Sequence, residues 1–120
     1  MVFSQKLSEQ YAALKTESGE DCVLLMQVGS FMQVMGEDAR AVSAVTGLKL
    51  QMAGDVDAPV VLGGFPKSGL DAYVGRLVRA GKSVAIALQD ESKERRLSEV
   101  VRLEGEPVAI RIEGETDGAV

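Results

Sequence analysis

Cys22-Val23-Leu24-Leu25-Met26-Gln27-Val28, followed at once by Gly29-Ser30-Phe31, is the stretch on which the fold turns. The apolar run is too short for a surface helix, and it lacks the alternation of a strand with one wet face. A continuous apolar run of this length predicts a strand buried on both sides, which requires helices above and below its sheet. Gly29-Ser30 breaks the run.

Turn signals on either side divide the rest of the chain into short alternating elements. Residues 4–18 read as an amphipathic helix, with Leu7, Tyr11 and Leu14 at helical spacing and Gly19 as the stop. Residues 31–46 read as a second helix, with Ser30 as N-cap and Gly47 as terminator; Gly36 inside it weakens the first turn. Residues 48–52 and 60–64 read as strands joined by a loop over 53–59. Ser68-Gly69-Leu70-Asp71 resembles a capping box opening a third helix, whose apolar stripe is Leu70, Tyr73, Val74, Leu77 and Val78. Residues 83–88, 97–103 and 107–112 complete the strands. The expected fold is α/β of the α+β type, a mixed sheet of about six strands with about three packed helices. Cys22 is expected as a small buried hydrophobe. Gly63-Gly64 is expected to allow close backbone approach in the sheet.

Composition restricts the chemistry. The 120 residues are 46% hydrophobic and 26% charged, which suits one soluble domain with one core. Histidine is absent, which removes Ser-His-Asp catalysis, His-ligated metals and imidazole proton shuttling. The single cysteine excludes an internal disulfide and a Cys-x-x-Cys site. Neither a long apolar span nor a basic-then-apolar leader is visible, so the chain reads as cytoplasmic with no membrane role. Asp55-Val56-Asp57 is a weak metal motif better explained by a turn, and Ser30 and Ser68 read as caps rather than nucleophiles. The chain is therefore expected to be no enzyme and to need no cofactor.

The net charge of −5 is unevenly spread. Residues 104–120 hold five acids against Arg111, whereas the preceding 103 residues hold 13 acids against 12 bases. The body is thus nearly neutral, with an acidic C-terminal end that argues against strong nucleic-acid binding. Locally the sign reverses: Lys67, Arg76, Arg79 and Lys82 face only Asp71, and Lys93, Arg95 and Arg96 surround Glu94.

The order of short motifs carries a resemblance. Gln10-Tyr11-x-x-Leu14-Lys15, Val23-Leu24-Leu25, Gly29-Ser30-Phe31 and Gly36-Glu37-Asp38-Ala39 come in succession. Leu62-Gly63-Gly64-Phe65-Pro66, Leu70-Asp71-Ala72-Tyr73-Val74-x-x-Leu77-Val78 and Gly81-Lys82-Ser83-Val84-Ala85-Ile86 with Gln89 follow. Together they resemble the N-terminal mismatch-recognition domain of the MutS DNA mismatch-repair family over about residues 5–103. The resemblance implies a domain over 1–103, with 104–120 contributing its last strand and an acidic tail. It also implies a Phe-x-Glu motif whose phenylalanine wedges against a mispaired base while the glutamate hydrogen-bonds to it. Here that motif is Phe31-Met32-Gln33. An amide both donates and accepts, so the base contact would be altered rather than lost. Phe31 and Gln33 share a side only in extended backbone, so joint action requires a junction that is not yet helical.

Other positions depart from the family. Gly29-Ser30-Phe31 replaces Gly-Asp-Phe, Val60-Val61-Leu62-Gly63 replaces Pro-Met-Ala-Gly, and Lys67-Ser68 replaces Tyr-His. The loop over 53–59, which in the family approaches the DNA backbone, carries Asp55 and Asp57. Complete members also have connector, lever, clamp and ATPase domains that do not fit in 120 residues, and no phosphate loop is present. The expected function is a non-catalytic module reading mispaired or distorted double-stranded DNA weakly. Phe31 and Gln33 would touch the base; Lys49, Lys67, Arg76 and Arg79 would touch phosphates. The alternative is a protein-interaction module, with a partner in the repair or replication machinery, that kept the fold and uses Phe31, Met32 and Met35 as an apolar patch.

Overall fold

The computed structural model describes residues 3–103. The buried strand β1 (Cys22–Val28) lies in a six-stranded sheet of order β3-β4-β2-β1-β5-β6. The other strands are β2 (Phe31–Met35), β3 (Leu50–Asp55), β4 (Ala58–Pro66), β5 (Ser83–Gln89) and β6 (Arg95–Val101). β1 and β5 run parallel and every other neighbouring pair is antiparallel, so the sheet is mixed as expected.

Helices cover both faces, which is why β1 needs no polar alternation. Helix α1 (Gln5–Ser18) lays Leu7, Tyr11 and Leu14 on one face against Cys22, Leu24, Met26, Met35, Leu62, Ala85 and Ala87. Helices α2 (Gly36–Thr46) and α3 (Leu70–Arg79) bring Ala39, Val42 and Leu77 to the other, over Val23, Leu25, Met32, Val34, Phe65, Val84 and Ile86. Tyr73 of α3 stacks on Phe65 of β4 with ring centroids 3.8 Å apart and planes 8° from parallel. Cys22 is buried, and burial pushes its thiol up, away from the reactive thiolate.

The second helix expected over 31–46 begins five residues late. Phe31–Met35 forms β2, between β1 and β4, because Met32 and Val34 alternate with Phe31, Gln33 and Met35 onto opposite faces. Gly36 is the junction between strand and helix, at φ 62°, where an L side chain would be strained. Ser30 caps no helix; it stands in the β1–β2 turn, and its carbonyl accepts the Lys67 N–H at 2.9 Å. Ser68 also caps nothing: Lys67–Gly69 forms a 3-10 turn leading into α3.

The loop expected over 53–59 shrinks to the turn Val56-Asp57, since β3 and β4 pair from Leu50↔Gly63 to Asp55↔Ala58. Pro59 is tolerated because β2 pairs with β4 only from Leu62 onward, so no neighbour on that side requires its missing N–H. At Gly63 the close neighbours are side chains rather than the backbone expected: a Cβ there would lie 2.7 Å from Leu48 Cδ2 and 3.0 Å from Leu50 Cδ2. β6 starts and ends two residues earlier than expected. The strand expected over 107–112 and the acidic tail lie outside the described residues.

One polar cluster is buried in this frame. Asp38, in the first turn of α2, directs its carboxylate back to β1. Oδ2 accepts the Leu24 N–H at 3.1 Å, and Oδ1 accepts from Lys15 Nζ at 2.8 Å. Lys15 also donates to the Cys22 carbonyl. The Tyr11 hydroxyl lies 2.6 Å from the Leu24 carbonyl oxygen and 2.7 Å from Asp38 Oδ2, both acceptors for its one proton. Burial, reinforced by the Asp38 charge, raises the Tyr11 pKa well above the usual tyrosine value. A group with a raised folded pKa contributes stability that is complete below its unfolded value, near 10, and is lost as pH climbs above it. Replacing Tyr11 by Phe is predicted to cost about 1–3 kcal/mol in urea unfolding at neutral pH. The wild-type advantage over this variant should shrink steadily as the pH is raised above 10.

Candidate nucleic-acid interface

Strand polarity places the ends that matter on one rim of the sheet. β1, β4 and β5 finish there, and β2, β3 and β6 begin there, by the register of the six-stranded ladder. Phe31 opens β2 on this rim, opposite Val28 of β1 and Pro66 of β4. It is 49% exposed, whereas the next apolar residues of its own strand, Met32, Val34 and Met35, are buried. An exposed aromatic face at the end of a rigid strand can stack on an unstacked base without first reorganising.

The junction is extended, so Phe31 and Gln33 do lie on the same face of the sheet. They do not share solvent access. Gln33 is 1% exposed, seated between Met26 of β1 and Gly64 of β4. Met32 and Met35 are buried as well, so the apolar patch expected from Phe31, Met32 and Met35 reduces to Phe31.

The expected cations divide into two groups. Lys67 is exposed beside Phe31, its backbone tied to Ser30, and Lys49 is exposed just before β3 on the same rim. Arg76 and Arg79 are exposed on α3, which packs on the face opposite α1, and lie about 9 and 14 Å along that helix from Leu70. They point to a different surface. The acidic turn is also remote: Asp55 pairs with Ala58, eight residues down β4 from the Pro66 that flanks Phe31, or about 26 Å. At that distance, beyond twice the Debye length, its charges are screened from Phe31 at physiological salt. Among the described residues no group of three or more acidic or cysteine side chains is arranged to hold a metal, and no helix is long and apolar enough to cross a membrane.

Sequence reasoning missed what holds Phe31 in place. Gln89 at the end of β5 accepts the Gly29 N–H on Oε1 at 2.8 Å and donates its own N–H to Gln27 Oε1 at 2.8 Å. Gln27 Nε2 donates to the Gly29 carbonyl at 2.8 Å. These two amides brace the turn Gly29-Ser30, Gln27 from β1 itself and Gln89 from the neighbouring β5. The signal available beforehand was a glutamine at each strand end, 62 residues apart, which only the parallel β1–β5 pairing makes adjacent. Gln89→Leu is predicted to cost about 1–2 kcal/mol and to speed amide hydrogen exchange at Gly29 more than at β1 residues such as Leu24.

Comparison with known proteins agrees with this architecture. Residues 5–107 match the family described as MutS domain I. The chain is 38% identical over 110 residues to the DNA mismatch repair protein MutS of Erythrobacter litoralis, covering 88% of this chain and 12% of that protein. It is 39% identical over 99 residues to the MutS of Porphyromonas gingivalis, covering 80% and 11%. It is 38% identical over 88 residues to the MutS of Thermus caldophilus, covering 73% and 11%. The chain thus spans about a tenth of the length of these relatives. With its mixed sheet, its three helices and this extent of similarity, the chain belongs to the MutS domain I family of DNA mismatch-repair proteins.

Proposed function

We propose that this domain is a non-catalytic reader of mispaired or distorted duplex DNA, with Phe31 as the wedge. The observation that carries the reading is the exposed Phe31 ring, fixed at the rim by the Gln27–Gln89 brace and flanked by Lys67. A mispaired step is cheaper to unstack than a matched one, so an aromatic wedge converts that difference into preference. Lys67 and Lys49 supply phosphate contacts on the β3–β4 side. Arg76 and Arg79 are assigned no contact with the DNA that Phe31 enters.

Gln33 lies on the same face of β2 as Phe31. It is buried, so base contact by its amide would require uncovering it. The distance between the acidic turn and Phe31 screens Asp55 and Asp57 from the wedge itself at physiological salt. The protein-interaction alternative loses its apolar patch, because Met32 and Met35 are buried.

Fluorescence anisotropy with matched and single-mismatch duplexes at low salt tests the proposal. The wild type should bind the mismatched duplex more tightly, and Phe31→Ala should lose roughly the 1–3 kcal/mol of one base–aromatic stack while retaining its fold by circular dichroism. Equal absence of binding to both duplexes, insensitive to salt, would overturn it.

A further inference from the structure

At the β5–β6 end of the same rim, a recess of about 520 Å³ opens between the start of α1 and the turn that connects the two strands. Lys6 and Gln10 form one wall; Lys93, Glu94 and Arg95 form the other. Three cations thus face one carboxylate, and that carboxylate is already engaged. Glu94 Oε1 is 3.0 Å from Arg96 Nη2. The neighbouring Asp90 is spent in the same way: Oδ2 takes Arg96 Nε at 2.9 Å, and Oδ1 takes the Ser92 hydroxyl at 2.7 Å with the N–H groups of Ser92 and Glu94. Those bonds hold the Asp90 carboxyl well below the usual carboxylate range.

The cations, by contrast, are available. Lys6 and Lys93 are exposed and form no ion pair among the described residues. Arg95 is half-buried and held by neutral acceptors alone, Nε on the Gln27 carbonyl at 2.6 Å and Nη1 on Gln10 Oε1 at 2.9 Å. Among the described residues its Nη2 makes no hydrogen bond and it forms no ion pair. Lys93 has φ 70°, and among the described residues it is the one non-glycine at positive φ. Its N–H is fixed on the Asp90 carbonyl at 2.9 Å, and its carbonyl accepts Gln89 Nε2 at 3.1 Å. The amide that braces the Phe31 turn therefore also sets the lysine at the mouth of the recess.

We propose that this recess is a phosphodiester site, in which Lys6, Lys93 and Arg95 together hold a backbone phosphate of the duplex that Phe31 enters. The assignment rests on the DNA-reading function proposed above and extends its footprint across the whole rim. A guanidinium fixed by neutral partners offers a directed N–H to a phosphate oxygen, and the two ammonium groups add charge without demanding one geometry. Phe31 and Arg95 are three strand spacings apart, about 14 Å, which corresponds to about four base-pair steps at 3.4 Å each.

The test compares wild type, Phe31→Ala, the double variant Lys6→Ala/Lys93→Ala, and Lys82→Ala as a control at the far end of the sheet. Arg95 is left in place because it also ties Gln27 to Gln10. Affinity for matched and mismatched duplexes is measured by anisotropy across a salt series. The double variant should weaken both duplexes equally, keep the mismatch preference and flatten the slope of log affinity on log salt by about 1.8. Phe31→Ala should instead lose the preference and keep the slope, and Lys82→Ala should change neither. A double variant with wild-type affinity and slope would overturn the site while leaving the wedge standing. Should the wild type bind no duplex, the functional reading fails, and the site is judged by titrating inorganic phosphate into ¹⁵N-labelled protein. Saturable shifts at Lys93, Glu94 and Arg95 that vanish in the double variant would then support an anion site, and their absence would overturn it.

Discussion

Where β2 leaves the sheet at Gly36, β1 loses a backbone partner, and the Asp38 side chain supplies the replacement. Its carboxylate accepts the Leu24 N–H, anchors Lys15 and meets the Tyr11 hydroxyl, so one acid joins α1, β1 and the start of α2. Removing one partner from such a buried ionic cluster leaves uncompensated charge, at a cost of about 3–5 kcal/mol. The consequence reaches the opposite rim. β2 is short and rigid because both ends are determined, one by the Asp38 cluster and the other by the glutamine brace, and Phe31 is its first residue. A side chain at the end of a strand so constrained can act as a wedge without a folding step of its own.

Charge follows the same division. Net charge alone argues against DNA, but among the described residues no acid lies in β1, β2, β4 or the Gly29-Ser30 turn, the segments that flank Phe31. Asp55 and Asp57 stand at the far tip of the β3–β4 hairpin, while Asp90 and Glu94 are absorbed by Arg96. Along the rim, exposed cations stand on both sides of Phe31, Lys49 and Lys67 on one and Lys93 on the other, with Glu91 as an exposed acid in the β5–β6 turn. A nearly neutral domain can therefore present a positive edge, of the kind that gives modest, salt-dependent affinity.

Much of this was legible in the sequence, for identifiable reasons. β1 and β5 were readable because continuous apolar runs between glycine turns have few alternatives, and α1 and α3 because Leu7-Tyr11-Leu14 and Leu70-Tyr73-Val74-Leu77-Val78 repeat at helical spacing. β2 was misread because Phe31-Met32-Gln33-Val34-Met35 is apolar enough to satisfy either period; the deciding residue was Gly36, whose positive φ marks a junction rather than a weak helix. The loop expected over 53–59 is mostly strand, and the unpaired side of β4 accommodates Pro59. Phe31 stood out through the family motif. Its surroundings did not, because Gln27 with Gln89 and Gln10 with Arg95 are distant in sequence and meet only through the sheet. Nor does a polar residue type announce burial, and Gln33 looked like a surface reader until its neighbours in β1 and β4 were in place.

The central claim is that DNA meets the domain along the rim that begins with Phe31. Chemical-shift mapping on ¹⁵N-labelled protein with a short single-mismatch duplex tests it most directly. The account predicts the largest perturbations at Ser30, Phe31, Lys67 and Lys93, with the Asp55-Val56-Asp57 tip and the Arg76–Arg79 turn of α3 unmoved. Perturbations confined to that tip or to α3, with the Phe31 rim silent, would contradict it.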